Sequence, residues 1–373
     1  MINTDAKMRP NQTLIINAYP LRFSGALQIL RQFIRGIEQY SNPKDFYYVF
    51  IDASVKIETV AKNIEFIPVK QNIIAKRLFF INFFGIKRYL KRRKLKADKI
   101  VSLANINTSL GNGIEEYVYF HQPLTIYRYK WNIFNKLERM NAYYKHIYKW
   151  VIQRSLTDQT VVIAQLDCIV DRCAEVFGID RSRFIKVTPN VAIPEVKTVE
   201  LPVKIDDDTV NMIYPATPVS YKNHRTIIDA LRLIPKDGDR KYRLYLTCSV
   251  EELAHIGIAG FTNNVEIVCM GHILFDQLML LYTKMDALLF PSYIESFGLP
   301  MIEAATTGVQ IVAADTDFAN EVLKGYDGVT FVPPFDTNKW CEEIMKIAKA
   351  KRFNPLEIAT TDSWKLLFDK LNK

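Results

Sequence analysis

The sequence predicts an α/β fold of two doubly wound parallel sheets, one in each half of the chain. Three observations predict it. Short β-rich apolar runs alternate with helical patterns from end to end. The alternation breaks over residues 188–209, where Pro189, Pro194 and Pro202 punctuate the chain and Asp206, Asp207 and Asp208 close the break. The length, 373 residues, suits two domains of ordinary size.

Taken in order, Thr13–Ala18 reads as the first strand. Gly25 then opens a helix through Ile37, with Leu27, Leu30, Ile34 and Ile37 on one face. Strands follow at Tyr47–Ile51, Ile64–Pro68, Lys99–Leu103, Tyr117–Phe120, Thr160–Ala164 and Phe184–Val187. After the break, strands are expected at Val210–Tyr214, Tyr242–Thr247, Val265–Cys269, Ala287–Phe290, Val309–Ala313 and Gly328–Val332. Helices are expected to begin near Arg225, Gln277, Pro300 and Lys339, and a last one to run from Thr361 through Leu371. The domains expected are residues 1–190, 191–355 and a closing helix at 356–373.

Composition narrows the class. Apolar residues make up 49% and charged residues 24%, the balance of a soluble globular protein. Five scattered cysteines lack zinc-ligand spacing, so free thiols in a reducing cytosol are expected. The first dozen residues are polar, unlike a signal peptide, and no run reaches the length of a spanning helix. A cytoplasmic protein is the expectation. Charge is uneven: residues 1–190 carry 30 Lys and Arg against 15 acids, whereas the remainder is net acidic. The first half is therefore expected to meet something anionic.

The most informative stretch is residues 290–304, Phe-Pro-Ser-Tyr-Ile-Glu-Ser-Phe-Gly-Leu-Pro-Met-Ile-Glu-Ala. An apolar strand leads through a turn into a helix that starts at Pro300. The amides of a first helical turn carry partial positive charge and suit a phosphate. Gly298 permits close approach, and the missing N–H of Pro300 is no loss there. Glu295 and Glu303 flank the turn and suit sugar hydroxyls. Phosphate between hydroxyl-binding acids describes a nucleotide-sugar.

Glu295, the Ser296-Phe297-Gly298-Leu299-Pro300 turn and Glu303-Ala304 resemble the E-x7-E motif of retaining GT-B glycosyltransferases of the family 4 type, the glycosyl transferases group 1. The resemblance implies two Rossmann-like domains facing a central cleft, the first binding the acceptor and the second the nucleotide-sugar. It implies that Glu295 faces the donor sugar and that Glu303 holds the ribose, with Ser296, Phe297, Gly298 and Leu299 along the donor. Tyr221-Lys222-Asn223-His224 resembles the family's donor-phosphate loop. Lys222 stands where that loop carries its cation, while Thr217 occupies the usual Arg position. A fixed cation offsets charge on the departing diphosphate. His121, after the strand Tyr117–Phe120 and in an H-x-P context, resembles a family histidine close to the donor sugar. Gly25 matches one glycine of the N-terminal glycine-rich loop, and Ser24 departs from it. The resemblance further implies transfer on one face of the sugar, with the departing phosphate helping to deprotonate the acceptor, and neither metal nor cofactor. Asp315-Thr316-Asp317 and Asp206-Asp207-Asp208 spell D-x-D, the metal site of a different glycosyltransferase fold, outside that fold's context.

Lys76–Lys99 holds ten Lys or Arg and the single acid Asp98. On a helix, Phe79, Phe83, Ile86 and Leu90 share a stripe, and Lys87, Lys91 and Lys94 another. That pattern suits an anionic inner-membrane surface, each cation contributing about 1 kcal/mol; the alternative is that the apolar stripe packs on the sheet. Tyr127–Trp150 is also basic and aromatic, fitting either an acceptor site or core. The function expected is transfer of a hexose-type sugar from a nucleotide-sugar donor to a lipid-linked glycan acceptor in bacterial lipopolysaccharide, O-antigen or capsule assembly. Two rivals are a nucleotide-sugar epimerase or hydrolase, marked by product without acceptor, and a non-catalytic basic membrane-binding protein. No nucleic-acid partner is expected.

Overall fold

The structure, a computed structural model, describes residues 11–22, 24–70, 84–191, 199–235, 238, 240–258, 265–358 and 362–373. These residues form two compact units.

The first unit is built on a seven-stranded parallel sheet. Its strands are β1 (Thr13–Asn17), β2 (Phe46–Asp52), β3 (Ile64–Val69), β4 (Lys99–Ser102), β5 (Glu115–Tyr119), β6 (Val161–Ala164) and β7 (Phe184–Lys186), in spatial order β3-β2-β1-β4-β5-β6-β7. The order reverses between β1 and β4, the place where open α/β sheets present their binding loops. Helix α1 (Ser24–Tyr40) covers one face, seating Leu30, Phe33, Ile34 and Ile37 among Leu14, Ile16 and Val49. Helix α2 (Ile86–Arg93) covers the other, with Ile86 and Leu90 buried against Ile15, Phe50 and Ile100.

The face of α2 that a bilayer would need is thus consumed by the sheet. Lys87, Arg88, Lys91 and Arg92 remain exposed, as does Phe84. Residues 76–83 of the basic aromatic segment, Phe79, Phe80 and Phe83 among them, lie outside the described residues.

The second unit carries a six-stranded parallel sheet ordered β10-β9-β8-β11-β12-β13. Its strands are β8 (Thr209–Tyr214), β9 (Lys241–Leu246), β10 (Val265–Cys269), β11 (Ala287–Phe290), β12 (Gln310–Ala314) and β13 (Val329–Val332). Here the order reverses between β8 and β11. The central strands are buried along their whole length, as parallel sheets covered on both faces require.

Two segments join a unit from far away in sequence. Tyr129–Asn141 groups with the second unit. The last helix, Ser363–Leu371, groups with the first, where it buries Trp364, Leu367, Phe368 and Leu371. Trp364 stacks on Tyr119 (centroids 5.9 Å apart, 5° between planes), and its indole N–H donates to Gln32 Oε1 at 3.0 Å. A side chain at Gly36, in the middle of α1, would collide with the Phe368 ring. The glycine gives up helix propensity so that this closing helix fits.

Candidate active site

The candidate site of the second unit grows from the loops that leave β8 and β11, the neighbours at the switch point. Tyr214, the last residue of β8, points its hydroxyl at the carbonyl of Lys222 and donates at 2.6 Å. The chain makes a 3-10 turn over Ser220–Lys222, and Asn223 then takes a left-handed φ of 59°. Asn is among the few residues that adopt it readily. The Asn223 amide donates to the carbonyls of Pro291 and Pro334, at 3.3 and 2.7 Å, and its Oδ1 accepts from the Thr226 hydroxyl at 2.8 Å. Lys222 is therefore fixed on both sides. The loop after β11 is stitched to the same turn: the Tyr293 N–H donates to the Tyr221 carbonyl at 3.1 Å.

These bonds bring together two residues 73 positions apart. The Lys222 ammonium donates to Glu295 Oε1 in an ion pair whose side chains are 21% and 12% exposed. At such burial the attraction is much less screened than on an open surface. His224 packs beside Lys222 and against Tyr214, ring centroids 4.6 Å apart. Burial, with the Lys222 charge adding to it, pushes His224 down to about 3, so it stays neutral. Thr217 is exposed, and its carbonyl accepts from the Val219 N–H.

Beyond Glu295 the chain turns at Gly298, where φ is 90° and ψ 51°, into the short helix Leu299–Ala305. Among the described residues, no backbone bond engages the N–H of Ser296, Phe297, Gly298 or Leu299, although Phe297 and Gly298 are buried. Buried amides seldom stay unpaired, so this run offers donors suited to an anion. Gly298→Ala is expected to cost about 1–2 kcal/mol through the left-handed backbone, read as a lower denaturant midpoint. The added Cβ would also meet Met301 Cε at 2.6 Å.

Glu303 lies inside that helix and is 8% exposed. Its carboxylate has no hydrogen-bond or ion-pair partner among the described residues, and burial raises it to about 7. Its charge in turn helps hold the nearby Tyr282 hydroxyl up, after burial itself.

An aromatic wall borders this site. Tyr293 meets Tyr129 edge-on at 4.7 Å, stacks with Trp131 at 6.3 Å and 20°, and packs on Phe335 at 4.9 Å. Asn141 donates to the Ser220 hydroxyl at 2.7 Å. The aromatic stretch 127–150 therefore divides: Tyr127 and Tyr148 are buried within the first unit, while Tyr129 and Trp131 border the second unit's loops. Phe335, packed on Tyr293, and Pro334, whose carbonyl receives the Asn223 amide, are the bordering residues that sequence reasoning did not single out.

The other expected site residues belong to the first unit. His121 follows β5. Its N–H donates to Asn105 Oδ1 at 2.6 Å, and its ring stands edge-on to Tyr119. Burial pushes the imidazole down to about 4, so it is neutral near pH 7. Gly25 lies at the exposed start of α1, after β1 at that sheet's switch point, and a Cβ there would meet nothing within 4 Å. The D-x-D segments serve locally. The Thr316 hydroxyl caps a helix by accepting from the Ala319 N–H, and Asp206 accepts from the Asp208 N–H and the Thr209 hydroxyl.

Two parallel Rossmann-like sheets, with a cation, a carboxylate and unengaged amides on the loops of the second, fit a GT-B architecture. Residues 211–350 match the family model described as glycosyl transferases group 1. The match covers less than half of the chain, and over that part the chain is similar to the group. It is 31% identical to the O-antigen chain mannosyltransferase RfbU of Salmonella typhimurium over 36% of either chain. It is 27% identical to the O-antigen chain mannosyltransferase B of Escherichia coli over 30% of either. The matched region thus spans about a third of the length of these curated relatives. Among solved structures, the fold is similar to a sucrose-phosphate synthase from Thermosynechococcus elongatus (TM-score 0.62, 15% identity, 90% of this chain and 89% of that one). It is also similar to WaaG, a glycosyltransferase involved in lipopolysaccharide biosynthesis (TM-score 0.60, 16% identity, 90% of each chain).

Proposed function

We propose that the protein is a retaining glycosyltransferase that moves a hexose from a nucleotide-sugar to a glycan acceptor in bacterial surface polysaccharide assembly. The observation that carries the reading is the Lys222–Glu295 pair beside four unengaged amides at the β8/β11 switch point. The amides and Lys222 hold the diphosphate and offset its growing charge as the bond from sugar C1 to phosphate oxygen breaks. Glu295 accepts hydrogen bonds from donor-sugar hydroxyls, and Glu303 from the ribose. The acceptor oxygen bonds to C1 on the face the phosphate leaves, and its proton passes to the departing phosphate. His121, neutral, hydrogen-bonds the donor sugar, and Gly25 leaves room for the ligand. No metal or other cofactor is required, because the fixed cation and amides supply the positive charge.

The names of the matched relatives favour mannose as the sugar and an O-antigen chain as acceptor, and we propose that this acceptor is lipid-linked. Among the described residues no helix is long and apolar enough to cross a membrane. A peripheral position on the cytoplasmic side of the inner membrane, with the exposed cations of α2 facing anionic lipid, fits such an acceptor.

The test is a thermal-shift titration with UDP-, GDP- and dTDP-sugars, followed by product analysis of the anomeric linkage. GDP-mannose is expected to raise the melting point by mass action, and the product to retain the donor's configuration. If no nucleotide-sugar binds the wild type, or if Glu295→Gln and Glu303→Gln leave binding and turnover unchanged, the assignment fails. Product formed without acceptor favours a nucleotide-sugar hydrolase.

A further inference from the structure

Tyr293 is 7% exposed, yet it is the hub of a ring cluster that opens to solvent. Three other rings of the second unit surround it: Tyr129, Trp131 and Phe335. Tyr129 and Trp131 are half-buried, and Phe335 is 57% exposed. Trp131 covers one side of Tyr293 and keeps its own outer side half-exposed. A single exposed ring is ordinary, but a group of them on one surface marks a place of contact.

The rings are held in place before anything binds. Pro333 and Pro334 precede Phe335 and restrict the backbone there. The Pro333 carbonyl accepts from the Trp340 indole N–H at 3.1 Å, and the Pro334 carbonyl from the Asn223 amide at 2.7 Å. Asp336 then caps the helix Thr337–Met345, accepting from the Lys339 N–H at 3.0 Å. The Asn141–Ser220 bond ties the segment that carries Tyr129 and Trp131 to the Ser220–Lys222 turn. Tyr293 stands two residues before Glu295, and Phe335 follows the proline that holds Asn223. The cluster is thus continuous with the backbone that carries the Lys222–Glu295 pair.

Polar groups rim the rings. Burial first, and then the nearby Tyr129, Glu138 and Tyr221, hold the Tyr293 hydroxyl above its usual range. Glu138 is itself fixed, accepting from the Asn132 N–H and the Asn135 side-chain amide at 2.8 and 3.0 Å.

We infer that this cluster is a saccharide subsite, where a pyranose of the acceptor glycan lays its C–H face on Phe335 and its neighbouring rings while its hydroxyls meet Tyr129, Tyr221 and Glu138. The negative face of an aromatic ring attracts C–H groups, and a flat ring offers area at little cost in ordering. Apolar walls with a few placed polar groups are what a small-ligand site requires. A lipid tail would use the rings but bury the carboxylate and hydroxyls beside them without offering a hydrogen bond. The inference rests on the proposed sugar transfer and adds to it. The acceptor is an assembled saccharide, recognised through a sugar next to the one that is extended.

The test is titration of the full-length protein with di- and trisaccharides of mannose, rhamnose, galactose and N-acetylglucosamine, read by saturation-transfer NMR. At least one is expected to bind, with its ring C–H protons the most strongly saturated. Phe335→Ala is expected to weaken that binding by about two- to tenfold, and Phe335→Ala with Trp131→Ala further. Phe335→Tyr, which keeps the ring, is expected to bind as the wild type does. Phe335 is exposed, so Phe335→Ala is expected to keep the wild-type melting point. With a saccharide that accepts sugar, Phe335→Ala is expected to raise the acceptor KM more than it lowers kcat. The inference is overturned if none of the saccharides binds, or if Phe335→Ala binds them as the wild type does. It is overturned too if the variant loses decyl phosphate, a probe for a lipid tail, but no saccharide. Nucleotide-sugar binding separates this failure from that of sugar transfer. A wild type that takes a nucleotide-sugar but no saccharide sinks the subsite alone, and one that takes a saccharide but no nucleotide-sugar sinks the transfer reading.

Discussion

Lys222→Ala is expected to lower kcat for the proposed sugar transfer by about 10²–10³-fold, the range seen when a fixed charge-stabilising group is removed from a site. Lys222 is clamped by the Tyr214 hydroxyl on its own carbonyl and by the Asn223 bonds to two prolines, so its ammonium needs no reorganisation when a diphosphate departs. With Thr217 where a second cation is usual in the family it resembles, Lys222 has no partner there to share the task. Removing it also strands Glu295, a largely buried carboxylate, without its counter-ion. The effects of Lys222→Ala and Glu295→Gln are therefore expected not to add: the double variant should be little slower than the worse single one. Steady-state kinetics on the three variants checks this, and strict additivity would mean that the pair does not act as a unit. Lys222→Arg is expected to rescue only in part, because a planar fork replaces a compact ammonium.

Glu303→Gln is expected to separate stability from function more sharply. In the folded protein burial raises the Glu303 carboxyl to about 7, from its ordinary 4.5. A raised acid stabilises the fold fully below its unfolded-state value, and that contribution is lost as pH climbs through the folded value. The wild type should thus lose stability between roughly pH 4.5 and 7, by up to about 3 kcal/mol from this group. Glu303→Gln, neutral throughout, should remove that part of the slope and be the more stable protein at pH 8. Its donor affinity should nonetheless fall, because an amide accepts fewer hydrogen bonds from a ribose diol than a carboxylate does. In the wild type, donor affinity should rise as pH passes 7 and Glu303 ionises. Paired denaturation and nucleotide titrations from pH 5 to 8 test both halves. A variant as pH-sensitive as the wild type would show that Glu303 is not the group responsible.

How far the sequence disclosed this molecule depended on whether the signal was local. The strands were legible because parallel strands buried on both faces are short apolar runs, and Leu14–Ile16 or Leu288–Phe290 could scarcely be anything else. The turn at Gly298 was legible because strand, glycine, proline and two carboxylates lie within fifteen residues. The Lys222–Glu295 pair was not, since 73 residues separate its members and only the neighbouring of β8 and β11 joins them. Residues that hold Lys222 from outside its own loop, such as Pro334 through its carbonyl, leave no trace in a linear reading. The α2 stripe left two readings open for a different reason. A 3.6-residue apolar period looks the same whether the face meets lipid or a sheet, and Ile86 and Leu90 meet the sheet. Likewise Tyr127 and Tyr129 stand two apart with the same chemistry, yet one is core and the other borders the site.

The way each unit borrows from distant sequence bears on how the gene can be dissected. A clone ending near residue 190 would lack Trp364 and Phe368, leaving Tyr119, Phe33 and Gly36 facing a void. A clone starting there would lack Tyr129 and Trp131, uncovering Tyr293 two residues before Glu295. Halves expressed apart are therefore expected to be poorly soluble or inactive. A truncation chosen by counting residues would be mistaken for loss of a catalytic group when the missing part is merely packing.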